Sequence, residues 1–162
     1  MKKNQILPKA FYQRYTCKVA QDLLGAVLVR KTERGEMRGI ITETEAYLGS
    51  DDPASHAARS TPPIEFTMEP GTIYIYLIYG RYYCLNVIAA SSGKKGAVLV
   101  RSIIPQYGIE QMRNNRKIAI KPSVTDKNLT DGPGKICQAL QITTKSSGKL
   151  ITEGKLTIHR GL

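Results

Sequence analysis

Tryptophan is absent from this chain of 162 residues, histidine occurs twice and cysteine three times. Cys17, Cys84 and Cys137 are far apart and odd in number, so they form neither CxxC pairs nor a disulfide framework. With only His56 and His159 beside them, neither a Cys/His zinc site nor any other metal site is expected. No run approaches the ~18–20 continuous apolar residues of a membrane span. The two lysines near the N-terminus precede no apolar stretch, so no signal peptide is expected. Acidic residues are also scarce. Thirteen Asp and Glu stand against 24 Lys and Arg, a net charge of +11, which draws a small protein toward polyanions. The expectation is a monomeric protein of a reducing compartment, cytoplasmic and nucleoid-associated if bacterial, with a nucleic-acid-like partner and no membrane. Hydrophobic residues make up 41%, enough for a globular core and against a disordered tail.

What is present reads as strands with short helices. Residues 8–24 read as two helices, with Pro8 in a first turn and Thr16 as a cap, ended by Gly25. Segments 26–31 and 37–44 alternate as strands, and a polar loop follows from Gly49 to Gly71. Segments 72–79 and 82–89 form a hairpin pattern about Gly80-Arg81, and 97–104 is a strand stopped by Pro105. Residues 107–116 read as a basic helix. Another helix opens at Thr130-Asp131-Gly132-Pro133, where proline suits the first position. The tail, KLIT and KLTIHR, reads as short strands. Residues 1–162 are therefore expected to form a single α+β domain: a curved antiparallel sheet or partial barrel, with flanking helices and a protruding β-hairpin.

Four groups of residues carry chemistry. Glu43, Glu45 and Tyr47 alternate along one strand and are expected to share a face. They read either as a solvated strand face or as a carboxylate raised toward useful basicity by partial burial beside a ring. His56, in the polar loop, reads as a surface residue or as one jaw of a clamp on a flat ring. Five of nine tyrosines lie between residues 74 and 83. Strand packing accounts for several, but less well for Tyr79, which sits at the turn beside Gly80 and Arg81 and suits base stacking and phosphate contact. Gly132, Pro133, Gly134 and Lys135 open a helix whose free N–H groups suit a phosphate, without Walker spacing.

In one order along nearly the whole chain, ETEAYLG (43–49), His56, PGTIYIYLIYG (70–80), Cys84-Leu85-Asn86, VLVRSIIP (98–105) and GPGKICQAL (132–140) resemble the alkyladenine (3-methyladenine) DNA glycosylase family. The resemblance implies a monofunctional glycosylase that flips alkylated or deaminated purines from double-stranded DNA and hydrolyses the N-glycosidic bond, without a cofactor. It implies Glu45 as the general base, with Arg101 positioning the water and the sugar-phosphate. Tyr47, His56, Tyr76 and Asn86 would form the base pocket, with Asn86 at its wall. Tyr79 would enter the duplex. Lys135, the backbone near Gly132, and Arg81 would meet phosphates. The family continues past the point corresponding to Leu162, so its last C-terminal strands are expected to be lacking here. A two-residue turn at Gly80-Arg81 would turn Tyr76 and Asn86 to opposite sides, so these roles require an odd-length loop or a bulge. The competing function is a noncatalytic nucleic-acid-binding or lesion-binding module. Glu45 separates the two, because a pure phosphate binder has no need of a carboxylate beside its aromatic face.

Overall fold

Alternating apolar residues organise the chain around one sheet. The computed structural model describes residues 5–50, 52–55, 67–117 and 125–161. Helices α1 (Lys9–Tyr12) and α2 (Thr16–Asp22) lead into strands β1 (Val27–Thr32), β2 (Gly35–Tyr47), β3 (Ile73–Ile78), β4 (Tyr82–Ser91) and β5 (Lys94–Tyr107). Helices α3 (Ile109–Asn115), α4 (Asp126–Leu129) and α5 (Pro133–Ala139), a 3₁₀ turn (Thr144–Ser146) and strand β6 (Leu156–His159) follow. The curled sheet is antiparallel, with strand order β3-β4-β5-β2-β1-β6. Together these elements form the expected single α+β domain.

The sheet has two unlike faces because side chains alternate along each strand. Ile73, Ile75, Leu85, Val87, Val98 and Val100 point to one face and join the main core with Val19 of α2 and Ile136, Cys137 and Leu140 at α5. Tyr74, Ile88 and Ala97 form a second, smaller cluster, with Met68 and Tyr76 packed against it. The main core holds the helices. The other face carries the smaller cluster and, toward β2 and β5, polar and aromatic side chains beside Leu99.

Several expectations change. Thr16 is not a cap: Tyr15 occupies that position and Thr16 is the first, buried helical residue. The fifth strand does not stop at Pro105 but runs to Tyr107. Proline is tolerated there because β4 pairs β5 only over Lys94–Leu99, and a register shift with β2 lies beside Pro105. The basic helix begins only after Gly108, which takes a left-handed φ of 73°. The segment 149–152 is not a strand. It makes a single bridge, Thr72 with Leu150, and belongs to a stretch that ties the sheet's two ends together. Gly148 N–H and Lys149 C=O bond Ile73 at 2.8 and 2.7 Å, and Lys155 C=O accepts from Lys31 at 2.8 Å.

The end of β2 is clamped from behind. Thr44 Oγ1 donates to Ala20 C=O of α2 at 2.8 Å. A Cβ on Gly96 would lie 2.3 Å from Tyr47 C=O and 2.7 Å from Thr16 Oγ1, so only glycine lets β5, β2 and α2 converge. Gly96→Ala is expected to destabilise the fold by about 1–3 kcal/mol, the usual cost of overpacking. Denaturant unfolding checks this; a midpoint equal to wild type would show that the three elements separate freely.

Candidate active site

A row of directly paired residues crosses four strands: Tyr74 on β3 faces Asn86 on β4, Asn86 faces Leu99 on β5, and Leu99 faces Glu45 on β2. Directly opposed residues share a face. This row is possible because the β3–β4 loop has three residues, Tyr79, Gly80 and Arg81, closing the pair Ile78–Tyr82. The two-residue turn is thereby corrected, and Tyr76, opposite Cys84, lies on the same side as Asn86. Arg81 N–H donates to Ile78 C=O at 3.1 Å to close the loop, and Tyr79 and Gly80 both take positive φ, 53° and 60°.

Between β2 and β5 the register shifts twice around Glu43. Ile41 pairs with Ile103, Glu43 with Ser102 and Thr44 with Val100, so Thr42 and Arg101 each stand without a register partner. The second shift restores what the first displaced. Such irregularities re-aim side chains. Here Arg101 Nη1 donates to Glu45 Oε1 at 2.7 Å, and its Nε lies 3.7 Å from Glu43 Oε2. Tyr47 Oη donates to Glu45 Oε2 at 2.5 Å. Both carboxylate oxygens are thus held by donors, and each keeps a second acceptor direction.

Glu45, Tyr47, Tyr76, Cys84, Leu99 and Arg101 line one side of a cleft of about 480 Å³. Tyr79 and Tyr82 stand at the hairpin end, and Arg116 with Gly132–Lys135 and Gln138 form the other side. The start of α5 packs tightly there: a Cβ on Gly134 would come within 3.0 Å of the Tyr82 ring. Among the described residues Tyr79, 87% exposed, is the most exposed large apolar side chain. Asn86 is 1% exposed and lies off the cleft wall, its Nδ2 donating to Cys84 C=O at 3.2 Å. Lys135 Nζ pairs with Asp131 at 2.6 Å, and Gly132 is the extended residue preceding α5. The Arg81 guanidinium sits 5.6 Å from the Tyr82 ring centre. His56 lies outside the described residues.

Ile78, Tyr82, Cys84, Leu99, Arg116 and Gln138 line the cleft without having been singled out from the sequence. Tyr82 belongs to the tyrosine cluster but carried no signal separating it from core tyrosines. Cys84 lies inside a quoted motif, and only the hairpin register shows that it faces Tyr76. Arg116 ends a helix remote in sequence. Its Nη1 caps Leu129 C=O at 2.9 Å, and its buried Nε has no protein partner among the described residues. Among the described residues no group of three or more His, Cys, Asp or Glu could hold a metal ion.

Burial, and then the hydrogen bond to Glu45, push the Tyr47 phenol up to about 12. Burial likewise raises Tyr76 and the Cys84 thiol. The hydrogen bond from Arg101 to Glu45 raises the guanidinium further, so it stays charged. A tyrosine whose folded pKa exceeds its unfolded value of 10.0 adds stability that is complete below that pH and is lost as pH climbs toward about 12. Tyr47→Phe is therefore expected to flatten the fall in stability across this alkaline window. Unfolding curves at successive pH values check it, and an unchanged alkaline slope would remove Tyr47 as its source.

The chain matches the family model described as methylpurine-DNA glycosylase over residues 10–161. It is 42% identical over 156 residues to a protein of Prosthecochloris aestuarii provisionally named a 3-methyladenine DNA glycosylase, covering 93% of this chain and 72% of that protein. A provisionally named 3-methyladenine DNA glycosylase of Clostridium tetani is 43% identical over 161 residues, covering 94% of this chain and 79% of the relative. The DNA-3-methyladenine glycosylase of Mus musculus is 46% identical over 140 residues, covering 82% of this chain and 41% of the mouse protein. With a family match spanning nearly every residue, and relatives above 40% identity on both sides of the bacterial divide, this chain belongs to the methylpurine-DNA glycosylase family.

Proposed function

We propose that this chain is a DNA-repair glycosylase that flips alkylated or deaminated purines out of duplex DNA and hydrolyses their N-glycosidic bond at Glu45. The observation that carries the reading is the carboxylate itself. In a chain of net charge +11, Glu45 is held by Arg101 at 2.7 Å and Tyr47 at 2.5 Å on the wall of a tyrosine-lined cleft. Phosphate binding alone gives no reason for such an arrangement.

The chemistry follows from these groups. A base inside a duplex is out of reach, so it must leave the stack at a cost of a few kcal/mol, least for damaged pairs. Alkylation at a ring nitrogen makes the purine cationic. Electron-rich rings such as Tyr47 and Tyr76 attract it, each by roughly 0.5–2 kcal/mol. A cationic purine is also a good leaving group, so the enzyme mainly has to supply one base and one water. Glu45 has a free acceptor direction for that water and a negative charge for the oxocarbenium-like sugar. Arg101 and Tyr47 fix the carboxylate while the water is held, and Tyr47 remains a neutral donor through the physiological range because its pKa lies near 12.

The remaining roles stand on position. Tyr79, exposed at the tip of the hairpin, is the wedge that fills the vacated stack. Asn86, buried behind the cleft, serves the pocket through its Nδ2 donor on the C=O of Cys84, which lines the cleft. His56, outside the described residues, is assigned to the base pocket on its place in the motif alone. Lys135, Gly132 and Arg81 meet phosphates, and Lys135 must then exchange Asp131 for a DNA oxygen. That exchange is inexpensive for an exposed pair.

Glu45→Gln is expected to abolish excision while DNA affinity holds or rises, since removing a negative charge cannot weaken attraction to phosphate. A gel assay for abasic sites, on duplex DNA carrying one hypoxanthine or ethenoadenine, checks this alongside a binding titration. Turnover near wild type in the variant would reject Glu45 as the base, and wild-type binding without excision would leave a lesion-binding module. Tyr79→Ala is expected to change stability by no more than about 0.5 kcal/mol, as at other exposed positions. It should weaken lesion binding by about 1–3 kcal/mol, the worth of one base–aromatic stack. A melting temperature that collapses instead would make Tyr79 a structural residue.

A further inference from the structure

The cations of this chain are not evenly neutralised. Arg14, Arg101, Arg113 and Lys135 are each held by an acid. A different situation holds where the 145–156 stretch ties the ends of the sheet together. There Arg30, Lys145, Lys149 and Lys155 surround a cleft of about 800 Å³. An adjoining cleft of about 280 Å³ shares Arg30 and Lys155 and adds Lys31 and Arg34. Among the described residues, none of these six makes an ion pair, although Glu153 lines the first cleft and Glu33 the second.

Arg30 is the informative member. It projects from β1, its Nη2 reaches Gln141 C=O at 3.4 Å, and its buried Nε has no protein partner among the described residues. The guanidinium carries more donors than Gln141 C=O uses, and an oxyanion entering the cleft is a natural acceptor for those that face it. The pair of clefts is also distinct from the active site, since no lining residue is shared with the cleft at Glu45. Helix α5 stands between them. Its first residues line the Glu45 cleft, and Gln141, just past its end, touches Arg30. Seven helical residues put about 10 Å between those two ends.

One small anion would be served by one cluster. Six cations passing through two joined clefts suit a polymer with repeating charge. We propose that this double cleft binds the sugar-phosphate backbone of duplex DNA away from the damaged base, as a second DNA-binding surface separate from the Glu45 cleft. The inference rests on the reading of the chain as a DNA-acting enzyme. It adds a contact that holds the protein on undamaged DNA without touching the excision step.

The test uses the full chain, a Lys145→Ala/Lys149→Ala/Lys155→Ala variant, and Arg30→Gln made separately. Because the three lysines are exposed, their removal should leave the melting temperature unchanged, and Arg30→Gln gives an independent readout of the same cleft. Binding of an undamaged duplex of about 40 base pairs is followed against salt; each lost phosphate contact lowers the slope of log affinity against log salt by about 0.9. The triple variant is expected to lose about two to three units of slope and at least about tenfold in affinity at moderate salt. Its single-turnover excision from a saturating short lesion duplex should equal wild type. Arg30→Gln should lose about one unit of slope. An unchanged slope in both variants overturns the proposal. So does loss of inorganic tripolyphosphate binding with DNA binding intact, which would make this a free-phosphate site. The expected slope difference between wild type and variants, with a wild-type chain that excises nothing, supports the second surface and rejects the glycosylase reading.

Discussion

The two-residue period of the pleated strand governs the site. The sheet side of the cleft is built from strands whose facing flips with each residue, so a miscount of one anywhere between β3 and β2 would send half of those side chains into the main core. Two local devices keep the count. The three-residue loop Tyr79–Arg81 keeps Tyr76 and Asn86 on one side, and the paired irregularities at Thr42 and Arg101 cancel. The first shift without the second would carry Glu45 and Tyr47 to the helix-packed face, where Thr44 now bonds Ala20. The bulged Arg101 then serves twice. It takes up the extra residue in β5, and its guanidinium spans from Glu43 to Glu45.

Electrostatics follows from that placement. A carboxylate on the surface of a strongly basic chain is drawn into whatever guanidinium is near, and the geometry decides whether such a pair is idle or useful. Here Arg101 and Tyr47 take one oxygen each, so Glu45 is oriented without being covered. The thiol of Cys84 and the phenol of Tyr76, raised by burial, add no charge to the same wall. The cleft therefore presents one fixed negative group among neutral rings, with Arg116 and Lys135 on its opposite side.

The sequence was legible where residue type and position carry the information together. ETEAY, the tyrosine-rich hairpin, Arg101 and the Pro133 helix start could be read along the chain, as could a curved antiparallel sheet with flanking helices. What escaped depends on counting or on contacts remote in sequence. Nothing in Tyr-Gly-Arg-Tyr distinguishes a two-residue turn from a three-residue loop, because glycine serves either. Pro105 reads as a terminator until β4 is seen to leave β5 before reaching it. Residues 149–152 alternate like a strand, yet they lie across a seam between sheet ends that exists only once the sheet has curled. Tyr82 and Arg116 join the cleft through the approach of α5, whose glycine at 134 admits the ring.

Tyr79 adopts a left-handed backbone with a bulky side chain, a conformation that ordinarily belongs to glycine. The loop holds it there through Arg81 N–H on Ile78 C=O, with Gly80 also left-handed beside it. A ring on such a residue has little freedom left to lose, because the backbone is committed before any partner arrives and a tyrosine has only two side-chain torsions. The loop's own hydrogen bond and its two left-handed residues thus set the direction in which the Tyr79 ring leaves the hairpin.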